Sequence, residues 1–136
     1  MGTWGVDTFE NDSACDWSYD LEKANDLAFV ESTLRAVLDP EAEFVDADAA
    51  VCALAACEVI ARLKGNFGAR DGYTQTVDEW VGAHAQAPPP ALIDLANRAI
   101  DAVLGDTSEL RDLWTETELT NDWLQAVEAL RRRVTE

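Results

Sequence analysis

The stretch DADAAVCALAACEVIARLKG, from Asp46 to Gly65, constrains this chain more than any other. Asp46 and Asp48 are capping candidates, Arg62 and Lys64 suit the last turns, and Gly65 is a stop, so the segment is predicted to be one helix. Small or apolar residues lie on nearly every side of it. A helix of that kind belongs at the centre of a fold, where its alanines let neighbouring helices approach closely. It is predicted to be the hub.

Amphipathic segments flank it on both sides. A first helix starts at Asp12 or Ser13 and runs to about Lys23, with Ala14, Trp17 and Leu21 near one face and Asp12, Asp16 and Asp20 on the other. Asn25 or Asp26 caps a second, whose Leu27, Val30, Leu34, Val37 and Leu38 keep the helical period until Pro40. The two read as an αα-hairpin. After the hub, NFGARDGYTQT is turn chemistry, and a short helix follows from Thr76. Pro90 suits the first turn of the next, whose apolar stripe runs from Leu92 to Leu104 and ends at Gly105. Thr107 or Ser108 opens a short helix, SELRDLW. The last begins near Thr120 or Asn121, turns Trp123, Val127 and Leu130 inward, and ends in Arg131, Arg132 and Arg133, which suit a helix C-terminus. The expectation is an all-α, single compact domain over residues 1–136, with six or seven helices around the Ala-rich one. An extended N-terminal arm occupies 1–11, and the Pro-rich stretch 86–90 is a loop within the domain.

Charge narrows the partners. The chain carries 27 acidic and 10 basic residues among 136, a formal net charge of -17. Such a surface repels phosphate backbones and anionic membranes, so neither nucleic acid nor membrane is an expected partner. It keeps a chain soluble and steers a basic protein towards it. No secretory apolar region follows Met1, no run approaches the length of a membrane span, and Cys15, Cys52 and Cys57 make an odd set without a CxxC. Reduced thiols in the cytoplasm are the expectation.

Equipment for catalysis is sparse. His84 is the sole histidine, and three cysteines with one histidine supply no usual zinc spacing. GTWGVD and KGNFGARDG lack the strand, spacing and lysine of a phosphate loop. No catalytic residue and no cofactor is expected. Carboxylates remain: the stripe Asp12, Asp16 and Asp20, with Asp7 and Glu10 just upstream, is a candidate for a divalent cation or for docking a basic partner, against a plain solvated face. Asp16, Asp20, Asp7 and Glu10 are the partner-binding candidates. Among the aromatics, Trp4, Phe9 and Trp17 are expected to be buried anchors, with Asn11 and Asp12 tying the arm to the first helix.

MGTWGVDTFENDSACDWSYDL resembles the opening of a family of small bacterial proteins catalogued as domain of unknown function 4259, at Met1, Gly2, Trp4, Gly5, Phe9, Asn11, Asp12, Ala14, Asp16 and Leu21. The segments LRAVLD, ALAACEVIARLKG and SELRDLW…WLQAVEALRRRV resemble it as well, so the likeness spans essentially the whole chain. Asp7 and Thr8 depart from it, where relatives often carry glycine and proline. The resemblance implies an all-helical single domain and assigns no activity, cofactor or substrate.

The leading expectation is a non-enzymatic, acidic protein-binding domain, of antitoxin or immunity type, with a basic partner. A cation-binding protein or enzyme using the N-terminal carboxylates is the alternative, and an oligomeric structural domain the third reading.

Overall fold

Seven helices follow one another in the computed structural model, which describes residues 5–136: α1 (Asp12–Leu21), α2 (Ala28–Arg35), α3 (Ala47–Leu63), α4 (Gln75–Ala83), α5 (Pro90–Val103), α6 (Glu109–Thr115) and α7 (Thr120–Thr135). Several start where the sequence supplies an acceptor for free N–H groups. Asn11 caps α1, its Oδ1 accepting from Ala14 N at 2.8 Å, so Asp12 is the first helical residue rather than the cap. Asp46 accepts from Ala49 N at 3.1 Å at the head of α3, and Ser108 accepts from Arg111 N at 3.2 Å at the head of α6. Pro90 takes the first turn of α5, where its missing N–H costs nothing.

Two boundaries fall short of expectation. α1 stops at Leu21 rather than near Lys23, and α2 stops at Arg35 rather than running on to Pro40. Beyond Arg35 the chain tightens into a turn, Leu38 N donating to Arg35 O at 3.0 Å. Gly65 ends α3 at φ +87°, a left-handed conformation that glycine adopts without steric cost.

α3 is the hub. It packs against α1, α2, α4, α5, α6 and α7, and from Ala53 to Arg62 every residue is buried. Ala50, Ala53, Ala55, Ala56 and Ala61 carry the smallest side chains that still favour a helix, so six neighbours crowd round one axis. The expected hairpin of α1 and α2 is a looser arrangement. Each helix lays its length on α3, and Trp17 bridges the two, its ring stacked on Phe29 at 5.2 Å and its Nε1–H donating to Thr33 Oγ1 at 2.9 Å. Among the described residues there is no strand; Val45 and Ser108 form an isolated bridge that pins the segment before α3 to the head of α6.

Replacing Ala56 by Leu inserts extra carbons where there is no room and is expected to cost about 1–3 kcal/mol in urea unfolding. The same change at exposed Ala91 should stay within about 0.5 kcal/mol.

Candidate functional site

The acidic stripe is where α1 meets solvent. Asp12, Asp16 and Asp20 are exposed, as is Tyr19 between the last two, at 58 % of its surface. Ser13 Oγ donates to Asp48 Oδ1 at 3.1 Å and brings the head of α3 alongside. Charges from both helices reach Cys52: burial, then Asp48, Asp20, Asp46 and Asp16, push its thiol up to about 11. The face therefore joins α1 to the start of α3, which is wider than the stripe read from sequence.

Its carboxylates do not converge. Among the described residues no group of three His, Cys, Asp or Glu side chains is placed to hold a metal ion. Successive turns of α1 present Asp12, Asp16 and Asp20 side by side to water. Asp7 is exposed, whereas Glu10 is half-buried and folds back, its Oε1 accepting from Asp7 N at 3.1 Å. Phe9 and Trp17 are buried in the core; Trp4 lies outside the described residues.

All three thiols are raised above the ordinary cysteine value. Burial raises the Cys57 thiol, and burial with Asp12, Asp16 and Asp71 raises that of Cys15. All three cysteines are free. His84 closes α4, with Nδ1 2.9 Å from Trp80 O and its ring 4.3 Å from that of Trp80.

A second cluster of charge lies inside. Glu58 and Arg62, one turn apart on α3, have side chains only 7 % and 1 % exposed. Glu58 takes four hydrogen bonds: from Thr8 Oγ1 at 2.7 Å, from Arg133 Nη1 and Nη2 at 2.8 and 3.0 Å, and from Arg62 Nη1. Arg62 also donates to Asp78 Oδ1 at 2.7 Å and to Ala69 O at 2.6 Å. Thr74 Oγ1 donates to the other Asp78 oxygen at 2.8 Å, and the guanidinium lies over the Phe67 ring at 5.6 Å. Gly68 sits against Arg133, where a Cβ would come within 2.7 Å of a guanidinium that Glu58 holds in place. Burial alone would raise the Glu58 carboxyl. The Arg133 hydrogen bonds and charge, the Arg62 charge and the Thr8 hydroxyl outweigh it, and the net direction is down.

This cluster was missed by reading α3 as apolar nearly all round and Arg62 and Arg133 as helix-end charges. The signal was present in Glu58 and Arg62. They form an i, i+4 pair of opposite charge inside an alanine-rich run with no other polar residue beside it, the pattern of a paired buried charge. A cleft of about 230 Å³ opens beside the cluster, bordered by Asp7, Glu10, Asp71 and Tyr73. Among the described residues no buried side-chain nitrogen or oxygen lacks a partner. The cluster is internally satisfied and fastens α3 to α7 and to the 66–74 turn.

Residues 2–126 match the family described as "Domain of unknown function (DUF4259)", and the chain belongs to that family. Neither a curated protein nor a solved structure matches the chain.

Removing the Glu58 charge strands two guanidinium groups, so Glu58→Gln is expected to cost about 3–5 kcal/mol in urea unfolding. The pH dependence follows from the same carboxyl. Its value in the fold is below the ordinary 4.5, so its contribution is fully present above that pH and is lost as the pH falls through the lower folded value. Stability measured against pH should show this acid loss in the native chain and lack that component in Glu58→Gln.

Proposed function

We propose that this member of the family is a non-enzymatic binding domain whose acidic face on α1 and the head of α3 receives a basic protein. The observation that carries the reading is an acidity that folding does not explain. Asp16 and Asp20 follow Asp12 at i, i+4 spacing, an arrangement that costs a helix a few tenths of a kcal/mol per pair. Only Asp12 stands in the first turn, where the helix dipole rewards it, and α1 has no basic residue in its last turn. Lys23 approaches Asp20 at 3.8 Å, but both side chains are largely in water and the pair offsets little.

Such a face acts by long-range attraction, raising the rate of encounter with a basic surface, and Tyr19 offers an aromatic anchor at its centre. A domain of antitoxin or immunity type would neutralise a basic toxin in this way. The raised thiols and internally paired charges support a non-enzymatic role, and three unpaired cysteines suit a reducing cytoplasm.

The test uses the chain and its Asp16→Lys/Asp20→Lys variant as baits at about 50 mM and about 500 mM salt. Both residues are exposed, so circular dichroism should be unchanged. A basic protein retained by the native chain at low salt, and lost to the variant and to high salt, is the expected outcome. Equal retention by both baits, or no basic protein on the native chain, would overturn the reading.

A further inference from the structure

The solvent face of α1 carries one large aromatic side chain among its acids. Tyr19 is 58 % exposed, the most open large hydrophobic side chain among the described residues. Asp12, Asp16 and Tyr19 stand at i, i+4 and i+7, which places them in one row along the helix, with Asp20 beside it. Ala14, Trp17, Ser18 and Leu21 occupy the other side and are buried.

Nothing inside the molecule uses this ring. Trp17, two residues back, stacks on Phe29 and donates to Thr33. Among the described residues the Tyr19 side chain makes no hydrogen bond, ring contact or ion contact. Lys23, one turn on, goes to Asp20 at 3.8 Å rather than over the ring. Packing therefore accounts for little of a tyrosine at this position.

The chain shows elsewhere what a ring beside a carboxylate holds. Arg70 lies over the Phe67 ring at 4.7 Å while its Nε stands 3.6 Å from Asp78 Oδ2. Buried Arg62 shares both partners, over Phe67 at 5.6 Å and bonded to Asp78 Oδ1 at 2.7 Å. A planar guanidinium offers its face to a ring and its edge to a carboxylate at once, whereas a lysine ammonium is a compact, strongly hydrated point charge. Tyr19 and Asp16, one turn apart, present the same two chemical groups to solvent.

We infer that Tyr19 and Asp16 are the arginine-reading point of the acidic face: a partner's arginine lays its guanidinium on the Tyr19 ring and donates to the Asp16 carboxylate. The inference rests on the reading of that face as the receiver of a basic protein, and it narrows the partner to one that presents arginine rather than lysine. The surrounding acids, Asp12, Asp20 and Asp48, attract either cation and supply no such distinction.

The test titrates the ¹⁵N-labelled full chain with capped tetra-arginine and capped tetra-lysine at about 50 mM salt, reading affinity from the α1 amides alone. Tyr19→Leu keeps apolar bulk and removes the ring; Tyr19→Phe keeps the ring. Tetra-arginine is expected to bind α1 more tightly than tetra-lysine. Tyr19→Leu should weaken tetra-arginine there about two- to fivefold, with a smaller effect on tetra-lysine, and Tyr19→Phe should bind as the native chain does. Equal weakening of both peptides, no weakening of either, or Tyr19→Phe as weak as Tyr19→Leu would overturn the arginine assignment and leave the acidic-face reading standing. Neither peptide shifting the α1 amides of the native chain would overturn both.

Discussion

One carboxylate, Glu58, fastens parts of the chain that are far apart in sequence. Its four hydrogen bonds come from residues 8, 62 and 133, and through Arg62 the fastening extends to Asp78 and to the backbone of Ala69. Taking that charge out of water is unfavourable by several kcal/mol and is offset only because every lone pair finds a donor. The consequence is a preference for one arrangement. α7 cannot slide along α3 without parting Arg133 from Glu58, and the 66–74 turn cannot lift without exposing Arg62. Lys64 Nζ and Asn66 Nδ2 add to this by donating to Val134 O and Arg133 O at 2.7 and 2.9 Å, capping the end of α7 from the end of α3.

Charge is divided between inside and outside. Cations are scarce, 10 against 27 acids, and two of them serve the interior, Arg62 and Arg133 around Glu58, while half-buried Arg131 lies between Asn97 and Asp101 at 2.6 and 2.8 Å. The acids left on α1 and the head of α3 therefore stand with little compensation. A domain built this way has a neutralised centre and a surface of mutually repelling charge.

The hub was readable because it is a matter of composition and period. An alanine-rich helix capped by Asp46 and stopped by Gly65 has one place to go, and periodicity fixed the inward faces of α5 and α7. The ends of α1 and α2 were less readable, since Val37 and Leu38 keep the apolar period while the backbone has already turned. The packing of α1 and α2 on α3 was not readable either, because sequence adjacency suggests a hairpin and only the breadth of α3 draws the two apart. The extent of the ion cluster was hidden because Thr8 and Arg133 are 50 and 75 residues from Glu58, and a lone Arg near a helix end has a sufficient local explanation. The acidic stripe was legible as a stripe; its union with Asp46 and Asp48 needed the Ser13 contact.

The claim that Glu58 joins α3 to α7 is tested most directly by a double-mutant cycle in urea unfolding, with Glu58→Gln, Arg133→Met and the pair together. If the two side chains act as one fastening, the effects are strongly non-additive, with a coupling of about 2 kcal/mol or more. Losses that sum to within about 0.5 kcal/mol would contradict the account, for then the two residues would stabilise the fold independently.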